Sequence, residues 1–264
     1  MNRIAVLCGT GMSAFSTVLS SSEEATSELL VAGSEWGEVP INVVSMANGE
    51  VFVIDRHHSP GESRTPPHAI EHRANVHAAS SCMPDLLVSV NSVGSMIETM
   101  PPGTIGIGSG MLDLSEKPWT FHDEDAFHSD RTNPFDELYS EIIAQTLTDK
   151  QGSAPSGIVV AQCIGPQFES PHEIDALERL GASVVGMTLG PEQRLVSETG
   201  IPHVSLLCSS NWAAGRTPGE PDAEIDHESV DSMASNMRDM VSHCIISLLS
   251  GCLLYTSDAA DDRL

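Results

Sequence analysis

The chain has 264 residues, of which 40% are hydrophobic and 19% charged, and its 12 Lys and Arg face 37 Asp and Glu for a formal net charge of −25. This length and apolar content predict one folded domain of ordinary size and argue against disorder. A surface this acidic repels nucleic acid and anionic lipid, so we expect neither as a partner.

The sequence also indicates a compartment. No apolar run reaches the roughly 18–20 residues of a membrane span, and Met1 leads almost directly into a strand-like run and not a signal peptide. We therefore expect a cytoplasmic protein.

Six cysteines lack CxxC or metal-finger spacing and predict small buried side chains without a disulfide framework. The acidic surface is explained either by solubility or by adaptation to high salt, which predicts stability that rises in molar KCl.

Short apolar runs typical of strands recur along the chain. Several are continuous and not alternating, as expected for strands buried on both faces of a mixed or mostly parallel sheet. The predicted strands are Ile4–Cys8, Val51–Ile54, Leu86–Val90, Thr104–Ile107, Ile158–Ala161, Val184–Val185 and Val204–Cys208.

Helical spacing appears in the second half of the chain. Helices are predicted over Pro171–Leu180 and Glu192–Thr199, each stopped by a following glycine, and over Asp226–Leu249 with Asp226 as N-cap. Ser20–Ser34 reads as a loop or edge region, and Leu114–Asn133 as a long excursion of the kind usually kept for function. The fold class predicted is thus a single-domain α/β fold with a mixed central sheet flanked by helices.

The end of the chain differs from the rest. Residues 251–264 resemble the translation of a transposon-end sequencing adapter, so we expect the native domain to comprise residues 1–250. A natural acidic tail is the alternative.

The turn Gly9-Thr10-Gly11 follows the first strand. We interpret it as a phosphate cradle of backbone N–H groups and the Thr10 hydroxyl. A tight structural turn is the second reading. A dinucleotide-binding turn ranks last, because no clear βαβ continuation ends in a ribose-binding acid.

Polar residues follow other predicted strands. Arg56, at the end of its strand, suits phosphate through its fork geometry, although an isolated arginine is more often a surface ion pair. His68, His72 and His77 lack the spacing of a metal site, and we expect no metal there. The segments 91–95, 165–170, 186–188 and 209–215 carry small residues, an aromatic ring or polar groups at strand ends or helix entries. Each alone is more often structural, but together they predict a ligand site.

These motifs occur in the order found in trimeric purine nucleoside phosphorylases, which this chain resembles up to about Ser250. The most specific are Gly165-Pro-Gln-Phe-Glu-Ser170 and Gly186-Met-Thr-Leu-Gly-Pro-Glu192. Within that family the chain is most similar to the branch acting on methylthioadenosine and methylthioinosine. The resemblance implies a nucleoside-phosphorylase-like fold, a homotrimer, and phosphorolysis of a purine nucleoside in purine salvage, with phosphate as co-substrate and no cofactor.

The resemblance also assigns roles to individual residues. It implies that phosphate is held by Thr10, Arg56, His57, Ser92 and Thr188. It places Phe168 against the base, and Met187 against the ribose.

The base preference follows from Asn211 and Glu169, which we expect to act on the departing base. The adenine-cleaving branch carries aspartates where this chain has Asn211 and Ala213. Asn211 can donate to N7 or O6, and Glu169 can accept N1–H of a 6-oxopurine, so hypoxanthine or guanine fits better than adenine.

The 5′ substituent stays open. His227 matches the histidine that contacts the 5′-hydroxyl in ordinary purine nucleoside phosphorylases, whereas the branch resemblance indicates 5′-methylthioinosine. His128 matches a family histidine near the 5′ pocket at a subunit edge. Either histidine is alternatively a helix cap.

Two departures from the family pattern set this chain apart. His58 stands where the family has glycine, in a loop about two residues longer, and Gly190 replaces a usual valine. They keep a non-catalytic nucleoside-binding paralogue open as an alternative, beside a methylthioadenosine phosphorylase, a hydrolytic nucleosidase and, last, a nicotinamide-dependent oxidoreductase.

Overall fold

A computed structural model describes residues 2–12, 14–21, 25–61 and 63–261, with the backbone alone for residues 252–261. The turn residue Ser13 and the adapter-like tail after Gly251, with Cys252, therefore lie outside the residues whose side chains are described.

The apolar runs predicted seven of the nine strands that the structure describes, and helical spacing predicted the helices from Pro171 onward but not the three before it. The strands are β1 (Arg3–Cys8), β2 (Thr26–Ser34), β3 (Gly37–Met46), β4 (Gly49–Asp55), β5 (Leu86–Ser95), β6 (Ile105–Asp113), β7 (Ile158–Gln162), β8 (Val184–Gly186) and β9 (His203–Trp212). The helices are α1 (Phe15–Leu19), α2 (His72–Ser81), α3 (Glu137–Gln151), α4 (Pro171–Arg179), α5 (Leu189–Ser197), α6 (His227–Asn236) and α7 (Arg238–Asp261).

The sheet is mixed, which confirms the predicted fold class. Its order is β2-β3-β4-β1-β5-β8-β7-β6-β9, and β9 also pairs with β5, so that the last five strands close into a ring. Strands β4, β1, β5 and β9 run parallel to their neighbours in this group, and β2 and β3 form an antiparallel hairpin at the edge. The four parallel strands therefore end at the same edge of the sheet.

The continuous apolar runs are buried on both faces, as predicted. In β1, Ile4 and Val6 face a core built with α3 and α7, while Ala5 and Leu7 face a second core built with α2 and α5. All four side chains are fully buried. Helices on both sides thus hold β1 and its neighbours in fixed positions, and the strand ends with them.

Two predicted irregular regions are confirmed, and the predicted last helix needs correction. Ser20–Ser34 contains the edge strand β2, and residues 114–133 form the expected excursion without a helix or strand. The predicted helix Asp226–Leu249 begins at Asp226 as N-cap, whose carboxylate accepts from Ser229 N at 2.9 Å, but it breaks at Met237 into α6 and α7. The break places Arg238 so that its guanidinium donates to the Gly11 carbonyl at 2.7 and 3.0 Å.

The cysteines of the described part are free thiols. Burial raises the pKa of Cys8, Cys208 and Cys244 to about 12, so these thiols stay protonated. They pack as small apolar side chains, in agreement with the sequence.

Candidate functional site

The parallel strands open at their carboxyl ends onto a cavity of about 370 Å³. This is where sheets of this kind bind ligands. It gathers ten of the eleven predicted site residues: Thr10, Arg56, His57, Ser92, Phe168, Glu169, Met187, Thr188, Asn211 and His227. The eleventh, His128, is exposed in the 114–133 excursion and does not line the cavity of its own chain.

The first turn of the site needs glycine at two positions. A Cβ on Gly9 would lie 2.6 Å from Nη1 of Arg56 and 3.0 Å from Nε2 of His57. Gly11 has φ of +76°, and a Cβ there would lie 2.6 Å from the backbone of Ala234. Because Gly9 has no side chain, Arg56 and His57, which follow β4, can approach the turn that carries Thr10. Since α1 leads into the antiparallel β2–β3 hairpin, no βαβ unit of the dinucleotide type follows.

Arg56 is buried, and all three nitrogens of its guanidinium group donate hydrogen bonds to neighbouring residues. Its Nε and Nη2 donate to the two carboxylate oxygens of Glu192, with Nη2 to Oε2 at 3.2 Å. Its Nη1 donates to the Val90 carbonyl at 2.9 Å and its Nη2 to the Leu7 carbonyl at 2.8 Å. A guanidinium has five N–H donors, so one donor on Nη1 is left over for a ligand. Arg56 is thus held rigidly at the cavity wall, and Glu192 compensates its charge.

Asn91 connects this pair to Thr188. Its Nδ2 donates to Oγ1 of Thr188 at 2.8 Å and to Oε2 of Glu192 at 3.4 Å. Because the Thr188 hydroxyl accepts from Asn91, its own hydrogen is free to point into the cavity and donate to an anion. The residues predicted to share one anion, at positions 56 and 188, therefore belong to one hydrogen-bonded group.

His57 is held by the loop that follows it. The His57 N–H donates to Oδ1 of Asp55 at 3.0 Å, and the ring Nδ1 lies 2.7 Å from the Thr65 carbonyl oxygen. A carbonyl only accepts, so Nδ1 carries the hydrogen and Nε2 is the free nitrogen. Burial, together with the Arg56 guanidinium, lowers the pKa of His57 to about 4. The ring is therefore neutral at pH 7.

The first departure from the family pattern is accommodated nearby. The His58 ring places Nε2 3.0 Å from Oδ1 of Asn75, and Nδ2 of Asn75 donates to the Arg56 carbonyl at 3.2 Å. His58 is thus anchored on α2 and helps, through Asn75, to hold the backbone of Arg56.

The second departure also has a structural explanation. A Cβ on Gly190 would lie 2.6 Å from Cγ of Gln162, whose side chain occupies that space. Oε1 of Gln162 accepts from Gly190 N at 2.8 Å, at the first turn of α5. Gln162 therefore fills the volume that a larger residue at position 190 needs.

The same cavity is also lined by the residues predicted for the base. Phe168 is partly exposed, and Glu169 beside it is half-buried. Burial raises the pKa of Glu169 above that of an ordinary glutamate, against the lowering effect of hydrogen bonds from the backbone and from Cys163. Its side chain thus brings a hydrogen-bonding group into a cavity that Phe168, Val185 and Met187 also line.

Asn211 is oriented by its own strand. Its Nδ2 donates to the Trp212 carbonyl at 2.8 Å, and its Oδ1 accepts from the Ser210 hydroxyl at 3.0 Å. A bulge in the β5–β9 pairing places Gly94 opposite Asn211, and a Cβ on Gly94 would lie 3.1 Å from Nδ2. The amide therefore keeps one N–H for a ligand, and its orientation is set by Ser210 and Trp212.

Residues of α6 and of the segment just before it also line the cavity. Met187, Ile225 and Val230 give it an apolar lining, and His227 and Asp231 give it a polar one. A Cβ on Gly165 would lie within 3.3 Å of Met187 Cγ, so that glycine leaves room for the methionine.

The lining or supporting residues that were not predicted as site residues include the charged or amide side chains of Arg64, Asn91, Glu192 and Asp231. Asn91 and Glu192 lie inside motifs that the sequence singled out, but their partners come from other elements. Arg64 had two signals, since it lies in the longer loop and few cations are present in this acidic chain.

No group of three His, Cys, Asp or Glu side chains is arranged to hold a metal ion within the described ranges. His72 and His77 instead contact the aromatic rings of Trp119 and Trp36, and His68 is exposed. None of the described helices is long and apolar enough to cross a membrane.

Known proteins resemble this chain over most of its length. The sequence model of the phosphorylase superfamily matches residues 3–246. The "Probable S-methyl-5'-thioinosine phosphorylase" of Methanothermobacter thermautotrophicus is 33% identical over 215 residues, which cover 81% of this chain and 74% of that protein. The 6-oxopurine nucleoside phosphorylase of Pyrococcus furiosus is 32% identical over 225 residues, 81% of each chain.

Solved structures share the fold. The methylthioadenosine phosphorylase from Schistosoma mansoni in complex with adenine superposes with a TM-score of 0.82 at 17% identity, covering 95% of this chain and 91% of that one. A methylthioadenosine phosphorylase sourced from an Antarctic soil metagenomic library gives 0.79 at 21% identity, covering 94% and 87%. At these identities the likeness establishes the fold alone.

Proposed function

The chain belongs to the phosphorylase superfamily, and from this premise we propose that it is a pentosyltransferase that phosphorolyses 6-oxopurine nucleosides. Phosphate replaces the base at C1′ of the sugar: the C1′–N9 bond breaks and a C1′–O bond to phosphate forms. The products are a free purine base and a ribose 1-phosphate or its 5-methylthio form. The observation that carries the proposal is the convergence of Arg56, Thr188, Glu169 and Asn211 on one cavity.

Phosphate binds at the end of the cavity formed by Thr10, Arg56, His57, Ser92 and Thr188. Hydroxyl and amide donors fixed in advance stabilise an anion without reorganising when it arrives. The Thr188 hydroxyl is directed by Asn91, and the remaining Nη1 donor of Arg56 is held by its bonds to Val90, Leu7 and Glu192. These contacts position phosphate below the sugar, where its attack on C1′ becomes effectively unimolecular.

The base binds between Phe168, Glu169 and Asn211. The departing purine gains electron density at N7 and O6, which the free N–H of Asn211 stabilises, while the Glu169 carboxylate accepts N1–H. Ala213 supplies no acceptor for a 6-amino group. These groups favour hypoxanthine or guanine, and a methylthioadenosine phosphorylase is the second candidate because the branch that the sequence resembles also includes that activity.

The 5′ end lies against α6. Ile225 and Val230 beside Met187 give an apolar surface that suits a methylthio group, so 5′-methylthioinosine is our preferred substrate. His227 on the same helix favours the 5′-hydroxyl of inosine or guanosine and keeps these as the alternative.

We further propose a homotrimer acting in cytoplasmic purine salvage. His128 is exposed and outside its own cavity, so a 5′ role for it requires that a neighbouring copy presents it. Light scattering coupled to gel filtration tests the trimer, and a His128→Ala variant that keeps its oligomeric state tests the shared pocket by its KM for nucleoside.

Base release from 5′-methylthioinosine, inosine, guanosine and 5′-methylthioadenosine, each with and without phosphate, tests the function. We expect release that requires phosphate and is faster for the three 6-oxopurine nucleosides. Release in phosphate-free buffer at the same rate indicates a hydrolytic nucleosidase. Nucleoside binding by calorimetry without release in either condition indicates a non-catalytic paralogue.

A further inference from the structure

The phosphate end of the cavity has less positive charge than its residue list suggests. Arg56 is paired with the Glu192 carboxylate, both side chains being at most 2% exposed, and the His57 ring is neutral at pH 7. Glu169 and Asp231 line the same cavity, and the whole chain carries −25. A phosphate dianion approaching this site is therefore repelled at long range, and the two expected cations do not compensate for that repulsion.

The loop after β4 brings a third cation to the same wall. Thr65 is hydrogen-bonded to His57, since its N–H donates to the His57 carbonyl at 2.9 Å and its own carbonyl lies 2.7 Å from the His57 ring. Its hydroxyl donates to the His58 carbonyl at 2.7 Å. These three bonds fix the point where the loop returns, and Arg64 is the residue just before it. Its side chain lines the cavity with Thr10, Arg56 and His57.

Arg64 is only weakly engaged by the described residues around it. Its side chain is 44% exposed, and Nη2 donates to Oδ1 of Asp55 at 2.9 Å, where the His57 N–H also donates. An exposed pair of this kind contributes little to stability, and four of the five guanidinium donors are not used by it. The guanidinium can therefore turn to a dianion without a large cost.

We propose that Arg64 is a second phosphate-binding guanidinium, delivered by the extended loop, that supplies the net positive charge which the Arg56–Glu192 pair lacks. This inference rests on the proposed function only in taking phosphate as the co-substrate. Arg56 acts as a fixed donor in the wall of the site, and Arg64 acts as the mobile charge that attracts and clamps the anion at its mouth. Its contribution is screened by salt because the side chain is exposed.

Steady-state kinetics and calorimetry with inorganic phosphate test the proposal on the full-length protein. In Arg64→Ala we expect a KM for phosphate raised about tenfold, a similar rise in the Kd for phosphate without nucleoside, and an unchanged KM for nucleoside. Arg64→Lys should recover part of the loss. Asp55→Asn, which keeps an oxygen for the His57 N–H but removes the negative charge that attracts Arg64, should lower the KM for phosphate two- to threefold.

Arg3→Ala is the matched control. It also removes one positive charge and one partly exposed ion pair, to Glu50, but at the start of β1, away from the cavity. Phosphate constants within twofold of wild type in Arg64→Ala, or shifts no larger than those of Arg3→Ala, overturn the proposal. A wild-type protein that binds phosphate in the calorimeter but releases no base refutes the proposed function alone, because the Arg64 comparison then proceeds on Kd.

Discussion

The Arg56 guanidinium and the Glu192 carboxylate form a two-point ion pair in which both side chains are almost fully buried. Removing one partner of such a pair leaves an uncompensated buried charge, which costs about 3–5 kcal/mol. We therefore expect Glu192→Ala to lose about that much free energy of unfolding in urea. Glu192→Gln should lose less, because its amide oxygen still accepts from the guanidinium.

Asp175→Ala provides the comparison for this experiment. Asp175 accepts from Arg216 at 2.7 Å but is 46% exposed, so its loss should cost much less stability than the loss of Glu192. A Glu192→Ala variant as stable as Asp175→Ala would show that the buried pair is not what holds Arg56 in place.

Glu169 predicts an acid limit to activity on 6-oxopurine nucleosides. Only the ionised carboxylate accepts N1–H as a charged partner, and burial raises the pKa of Glu169. The kcat/KM for inosine-type substrates should therefore fall as pH drops through that raised pKa, at a higher pH than an ordinary glutamate dictates. Glu169→Gln should lower kcat/KM by about 10–100-fold, the worth of a hydrogen bond to a charged group, and should remove this acid limb. An acid limb that persists unchanged in Glu169→Gln assigns it to another group.

The strands that are buried on both faces could be predicted from the sequence because each appears there as a continuous run of apolar residues. The sequence missed β3, where Pro40 interrupts the pattern; that residue pairs only with the edge strand β2, because pairing to β4 begins at Asn42. It also missed the break at Met237, since neither glycine nor proline marks it. The break is explained by tertiary contacts, with Arg238 bonded to Gly11 and Ala234 packed against that glycine.

The same distinction holds for the site. Residues at strand ends, such as Thr10 and Arg56, were predictable because topology alone brings those ends together. Glu192 and Arg64 were not predictable. The role of Glu192 depends on its ion pair with Arg56, 136 residues away, and the position of Arg64 depends on how the loop after β4 returns to His57. The sequence therefore predicted which groups line the cavity better than how their charges are balanced.

Asn211 predicts a substitution that shifts base preference. Asn211→Asp replaces the donor amide by a carboxyl group that matches the adenine-cleaving branch, and it disturbs the donation to the Trp212 carbonyl. We expect the ratio of kcat/KM for 5′-methylthioadenosine over 5′-methylthioinosine to rise about tenfold. The Ser210→Ala variant, which removes only the hydroxyl that orients the amide, should lower both constants together. An unchanged ratio in Asn211→Asp counts against the assigned role of Asn211.

His203 predicts how stability changes with pH. The ring is buried, with Nε2 2.9 Å from the Ser89 hydroxyl, and Nδ1 has no partner among the described residues. Burial lowers its pKa from about 6.5 to about 3, so the folded protein keeps the ring neutral while the unfolded chain takes up a proton below pH 6.5. The stability that this residue contributes is thus complete above pH 6.5 and decreases as pH falls toward 3, by up to about 1.4 kcal/mol per pH unit.

Urea unfolding at pH 7 and pH 5 tests this prediction. The free energy of unfolding of wild type minus that of His203→Gln should fall by about 2 kcal/mol between the two pH values. Taking this difference cancels the carboxylates, as well as His57 and His72, whose pKa values burial also lowers. Ser89→Ala keeps the histidine and should keep the full pH dependence at a lower overall stability, whereas a difference between wild type and His203→Gln that stays constant with pH means that the ring is not held neutral in the fold.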